Sequence, residues 1–309
     1  MVSRRSSLRL AAGALALAVV LVIAYVAICL YAAATLSTTG AHQPLTASAG
    51  SIGVNWEDVS FPSRSDRITL RGWLFHSSLR NGRSAILLHG FTANRTDQGF
   101  DEPAMTRAFI AAGYDTLVFD FRSFGLSDGK GFTLGWTEGR DVLGAYDYMR
   151  SRGYDPHRMA VLGVSMGAES MLGAAEQLSD VAALIADSAY ANLRPILDLD
   201  ITRYSGLPGF FNPGIIAAGQ LFYGLKPDFR PVDHVRALPQ RAFLFLVGAI
   251  DTFIPTANSY ELKAASTNPA TRLVVFDGSK HAKEFQNHTT LYLSTVFGFI
   301  DQQIAATGT

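Results

Sequence analysis

Cysteine is nearly missing from this chain: Cys29 is the only one among 309 residues. A single thiol excludes an internal disulfide and a cysteine-based zinc cluster. Cys29 also lies inside an apolar run, the wrong setting for a nucleophile. An excess of either charge is missing too. The 26 basic side chains balance 26 acidic ones for a formal net charge of zero, so no basic face implies nucleic acid as a partner. Charge is absent locally as well, with no Asp, Glu, Lys or Arg between Arg9 and Glu57. Internal repeats and low-complexity tracts do not occur. What is plentiful is apolar residue, 48% of the chain, ample for the core of one large α/β domain.

The charge-free stretch holds one long hydrophobic run, Leu10–Leu36. As a helix rising 1.5 Å per residue it reaches about 40 Å, enough to cross a hydrocarbon layer of about 30 Å with tilt. Arg4, Arg5 and Arg9 precede it. The positive-inside rule then puts the N-terminus in the cytoplasm and the rest of the chain on the far side. A cleaved secretory signal is the alternative, with Ala32–Ala34 as its processing site, but signal cores usually run about 7–15 residues. The expectation is therefore a signal anchor over 1–36, a small polar linker over 37–53, and a folded domain over 54–309.

That domain alternates strand-like and helix-like segments. "WEDVSFPS" and "ITLRGWLFHS" alternate polar and apolar residues as antiparallel edge strands do. "SAILLHGF", "DTLVFDFR", "RMAVLGVS", "VAALIADSAY", "RAFLFLVGAID" and "TRLVVFDGSKH" read as further strands, several of them the continuous apolar runs of a buried parallel sheet. Amphipathic stretches between them, and a closing one over 283–305, read as helices on both faces. Residues 190–230 break the rhythm: "LPGFFNPG" and "LKPDFRP" are rich in Pro, Gly and Phe. Too irregular for a sheet unit, they read as a short lid insertion over the mouth of a site, or as ordinary helix packing.

Within this frame "VLGVSMGAES" sets Ser165 between Gly163 and Gly167, after an apolar strand and before a small-residue helix. That is the context of a nucleophile elbow, where the turn is too tight for side chains two residues to either side. A serine hydroxyl needs a base. Of seven histidines, His281 follows the last strand at the same sheet edge, whereas His157 and His234 precede strands, His42 lies in the linker and His288 in a helix. The base needs an acid. Asp251 closes the next-to-last strand and Asp187 the one before. Asp251 is preferred because it gives the chain order Ser, Asp, His. Two backbone donors suit a developing oxyanion: the N–H of Met166 at a helix start, and that of Phe91 after "AILLHG". His89, lacking partners at metal-ligand spacing, reads as a loop-shaping residue.

Taken together, "LLHGF" at 87–91, "FDFRSFGLSDG" at 119–129, "GVSMG" at 163–167, "VGAIDTFIP" at 247–255 and "GSKH" at 278–281 resemble α/β-hydrolase-fold serine hydrolases over about residues 55–305. Within that superfamily the chain is similar to membrane-anchored or secreted members with a serine-aminopeptidase-like or dienelactone-hydrolase-like core. Ser123 stands where many relatives carry glycine, and "GSKH" lacks the glycine often found directly before the histidine. Relatives that process haloalkanes or epoxides carry aspartate at the elbow, so Ser165 argues against both chemistries. The resemblance implies a mostly parallel sheet with helices on both faces, and acyl-enzyme hydrolysis of esters, thioesters or amides with neither metal nor organic cofactor. It implies a small-molecule or lipid-like ester as substrate. A serine exopeptidase and an inactive anchored binding module remain as alternatives.

Overall fold

The computed structural model describes residues 4–307. Met1–Ser3 and the side chains of residues 4–7, including Arg4 and Arg5, on which the expected orientation leans, lie outside the described residues. Chain order is α1 (Arg4–Leu36), β1 (Trp56–Pro62), β2 (Thr69–Phe75), β3 (Arg83–Leu88), α2 (Glu102–Ala111), β4 (Tyr114–Asp120), α3 (Gly139–Ser151), β5 (Met159–Val164) and α4 (Met166–Gly173). There follow β6 (Ala183–Asp187), α5 (Leu193–Ser205), α6 (Asn212–Tyr223), α7 (Pro231–Arg236), β7 (Phe243–Gly248), α8 (Ala257–Ala265), β8 (Arg272–Phe276), α9 (Glu284–Asn287) and α10 (Thr289–Thr307).

The eight strands form one sheet in the order β1-β2-β4-β3-β5-β6-β7-β8. β1 and β2 are antiparallel, as their alternating patterns predict, and β3 through β8 pair in parallel. All six residues of β5 and of β7 are buried, which is why these strands are continuously apolar. Val142 of α3, Met171 of α4, Val232 of α7 and Leu262 of α8 share one core. Met105 and Phe109 of α2 and Val296 and Phe299 of α10 fill the other face. Crossovers of this kind leave the carboxyl ends of the central strands at one rim, where open α/β sheets bind ligands.

Three stretches differ from their sequence reading. Residues 190–230 are not irregular: α5 has 13 residues and α6 has 12. Pro213 sits in the first turn of α6, while Gly206 and Gly224 take left-handed conformations just past α5 and α6. The residues that look like breakers are helix punctuation. The closing helix is split at His288, whose ring Nε2 donates to the Asp277 carbonyl. Finally, the polar stretch 37–53 is strapped to the body. His42 N–H donates to the Ser123 carbonyl (2.8 Å), Thr46 Oγ1 donates to the Thr96 carbonyl (2.8 Å), and Ala49 and Ile52 are buried.

In α1, Leu8–Leu36 is 29 residues with a mean hydropathy of 2.8, long and apolar enough to cross a membrane or to serve as a signal sequence. Its C-terminal third is docked. Cys29, Ala32 and Ala33 are buried among Ile215, Ile216 and Phe211, and Tyr25 stacks on Phe211 at 5.2 Å.

Candidate active site

β5 runs into α4 through Ser165, whose backbone is held at φ 51°, ψ −124°. Left-handed φ in a residue other than glycine costs energy that the surroundings must supply. The turn shows what they supply. A Cβ on Gly163 would lie 2.4 Å from the Gly167 carbonyl oxygen, and one on Gly167 would lie 2.4 Å from the Leu88 carbonyl oxygen. Only glycine admits such contacts, so the two residues let β5, α4 and the end of β3 close on each other. The Ser165 N–H donates to the Asp187 carbonyl at 2.9 Å, fixing the turn to β6.

Three side chains from distant parts of the chain meet here. Ser165 Oγ lies 3.0 Å from His281 Nε2, and His281 Nδ1 lies 2.7 Å from Asp251 Oδ2. Asp251 is itself clamped, because its Oδ1 accepts the N–H groups of Phe253 and Ile254 at 2.8 and 2.9 Å. A carboxylate held this way fixes the imidazole with Nδ1–H toward the acid and the Nε2 lone pair toward the serine. The Phe253 ring packs on the imidazole at 4.7 Å. Phe91 follows Gly90, whose Cβ position would be 3.5 Å from Ser165 Cβ, and Met166 opens α4, where first-turn amides have no intrahelical acceptor. A cavity of about 250 Å³ lies over these atoms, lined by Gly90, Phe91, Ser165, Tyr204, Phe253 and His281 among others.

The other titratable residues singled out from sequence have other partners. Asp187 does not reach the imidazole. Its oxygens take the Tyr292 hydroxyl (2.8 Å) and the Ser188 hydroxyl (2.9 Å), and burial followed by the nearby Glu284 pushes its carboxyl well above the ordinary range. His89 Nδ1–H donates to the Gly90 carbonyl and its Nε2 accepts the Phe121 N–H, while burial holds the ring neutral. It therefore shapes the loop that carries Phe91. His76 sits between Glu57 and Asp115, His234 faces Glu176, and His157 lies at the opposite end of β5 from Ser165. Ser123, the departure from glycine, stands at φ 67° and is tied down by its Oγ, which donates to the Gly131 carbonyl and accepts the Gly131 N–H.

Two carboxyl groups near the serine were not anticipated. Glu169, one turn into α4, is fully buried. Its Oε1 accepts the Tyr190 N–H at 2.7 Å, its Oε2 has no partner among the described residues, and burial pushes its carboxyl well above the usual carboxylate range. An acidic residue in an otherwise small and apolar helix was the available signal. Asp200 of α5 lies beside the space beneath Ser165. Burial raises it to about 6, against the pull of Arg203 and of His281. Nothing in the local sequence marks it, because only the docking of α5 brings it there.

Residues 85–294 match the model of the α/β-hydrolase family. The match covers more than half of the chain, which belongs to that family. An uncharacterized protein of Mycobacterium tuberculosis is 27% identical over 218 residues, 70% of this chain and 69% of the relative. Among solved structures, the esterase Pf2001 of Pyrococcus furiosus superposes with a TM-score of 0.71 at 20% identity, over 85% of this chain and 98% of that one. Est1E of Butyrivibrio proteoclasticus, solved with ferulic acid bound, gives 0.61 at 23% identity, over 80% and 99%. At such identities these likenesses concern the fold.

Proposed function

Because the chain is an α/β hydrolase, we propose that it is a serine hydrolase that cleaves carboxylic esters through an acyl-enzyme, held to a membrane by α1 with its catalytic domain on the extracytoplasmic side. The observation that carries the reading is the Ser165–His281–Asp251 relay, 3.0 and 2.7 Å long, opening on a cavity. In this reading Ser165 Oγ attacks the acyl carbon and its proton passes to His281 Nε2. The oxyanion settles on the Phe91 and Met166 amides, the latter aided by the positive end of α4. His281 then gives the proton to the departing alkoxide, leaving acyl-Ser165 and free alcohol. Water, giving its proton to His281, attacks the acyl carbon. The same proton returns to Ser165 as the carboxylic acid leaves.

Peptide substrates suit the cavity less well. Holding a free amino terminus takes ionised carboxylates. Asp200 is engaged by Arg203 at 2.7 Å, and burial works against an ionised Glu169. Helices α5 and α6 serve as the lid. Retention of α1 is supported by the burial of Ala32 and Ala33, the residues a signal peptidase would have to reach, against that lid.

One experiment tests chemistry and anchoring together. A fluorophosphonate probe added to membranes should tag a band at the full-length mass of 33.3 kDa. Ser165→Ala should abolish the tag and lower p-nitrophenyl butyrate turnover by about four to six orders of magnitude. A Ser165→Ala rate within tenfold of the parent would end the serine assignment. A tagged band that is soluble and shortened would end the anchoring.

A further inference from the structure

A second cavity, about 470 Å³ and larger than the one over Ser165, lies between α1 and the end of α5. Ala27, Ile28 and Tyr31 of α1 form one wall, and Tyr204 and Leu207 form the other. Tyr204 lines both cavities. Its ring stands edge-on to Phe91 at 5.7 Å and to Phe253 at 6.3 Å, and Phe253 is the residue packed on His281. One tyrosine ring therefore lies between a hydrophobic groove and the proposed oxyanion and base positions.

The place of this groove along α1 identifies its occupant. The apolar stretch Leu8–Leu36 has 29 residues, about 43 Å of helix, against a hydrocarbon layer of about 30 Å. The surplus is roughly nine residues, and the docked end of α1 is where the folded domain takes it up. With α1 crossing the bilayer as proposed above, the groove residues Ala27–Leu36 fall at the boundary between acyl chains and headgroups. Around them the lid is apolar on its outside as well: Phe210 stacks with Tyr25, and α6, packed along α1, exposes Leu221 and Phe222. Exposed aromatic and aliphatic side chains grouped in this way mark a surface that lies in lipid.

We propose that this groove takes the acyl chain of a membrane-resident carboxylic ester, which enters sideways from the bilayer along α1 and presents its ester carbonyl to Ser165 past Tyr204. The proposal rests on the serine-hydrolase reading and gives it a substrate class. A hydrocarbon tail passing from lipid into a groove of Ala, Ile, Leu and Tyr, with Thr35, Thr39 and Ser205 as its polar members, keeps a mostly apolar surrounding. Only the ester group has to reach the polar end of the path. Tyr204 sets chain-length preference: with its ring in place, short acyl groups are housed beside Ser165, and longer ones need the ring to move aside from the passage between the two cavities.

The test uses the full-length protein in lipid nanodiscs, with p-nitrophenyl butyrate and p-nitrophenyl laurate as substrates and rates normalised to the fraction labelled by fluorophosphonate. The readout is the laurate-to-butyrate ratio of kcat/KM. Ile28→Trp fills the groove from a residue already 37% exposed, and should lower the ratio about tenfold, the scale at which a few methylenes are discriminated. Tyr204→Ala joins the cavities and should raise the ratio. Only the pair of changes in these directions upholds the groove, and any other pair of results overturns it. Normal labelling and butyrate turnover alongside an unmoved ratio would overturn the groove and leave the serine chemistry standing. Absent labelling and turnover in the parent protein would remove the serine reading and this proposal with it.

Discussion

At the scale of single residues, the site is built from constraints that act over a few ångströms. Gly163 and Gly167 are needed because carbonyl oxygens occupy the space of their missing side chains, and that need was visible as a spacing around Ser165. The environment of Asp200 was not visible. Burial raises its carboxyl to about 6, so it is neutral at pH 5 and ionised at pH 7. A carboxyl that changes charge in this range beside Ser165 adds its own step to the kcat/KM profile near pH 6. Asp200→Asn carries no such charge, so that step should be missing from its profile. Superimposable profiles for parent and variant would show that the charge on Asp200 does not reach the site.

At the scale of elements, the contact between α1 and α6 depends on one small residue. A Cβ on Gly214 would lie 2.5 Å from Cys29 Sγ and 2.8 Å from the Tyr25 hydroxyl, so a side chain there must displace the Cys29 and Tyr25 side chains that α1 lays against α6. Forcing bulk into such a packed contact costs about 1–3 kcal/mol. Gly214→Val should loosen the docked end of α1, and the lone cysteine reports it. Cys29 is 3% exposed and should react with a small membrane-permeant maleimide roughly tenfold faster in the variant, the change in open population expected from about 1.4 kcal/mol. Equal labelling rates would mean that α1 does not need Gly214 to dock. In the same region the sequences of α5 and α6 look irregular. Their glycines and Pro213 were visible, but whether such residues interrupt a helix or bound it depends on their register with the segments between. Phe211, Ile215 and Ile216 look misplaced until α1 covers them.

At the scale of the whole molecule, buried carboxyl groups give stability a pH dependence. Burial pushes Glu102 up from its ordinary 4.5 to about 8, and raises Glu169, Asp187 and Glu284 as well. The folded protein keeps protons that the unfolded chain has released. Stability contributed by these groups is therefore fully present below about pH 4 and declines as pH rises, for Glu102 through about pH 8. Glu102→Gln stays neutral throughout. Its Tm advantage over the parent should grow between pH 5 and pH 8 by at least about 3 °C, the shift expected from roughly 1 kcal/mol in a domain of this size. A Tm difference that is the same at both pH values would show that Glu102 titrates normally.

By itself the amino-acid sequence determined the strands, the antiparallel pair at one edge, the apolar N-terminal helix, and the spacing of glycines around Ser165. These follow from short-range rules: periodicity, chain stiffness and steric exclusion along neighbouring peptide units. It also narrowed the partners of Ser165, because β7 and β8 end at the same rim as β5 and so carry Asp251 and His281 toward it. Only the tertiary structure decided between Asp251 and Asp187 as the carboxylate that reaches His281. It likewise brought Glu169 and Asp200 to the space beside Ser165 and laid α6 along α1, with Tyr204 between two cavities. Those outcomes depend on which surfaces are buried against which. That is settled by long-range packing among segments more than 100 residues apart, such as Ser165 and His281 or Cys29 and Phe211.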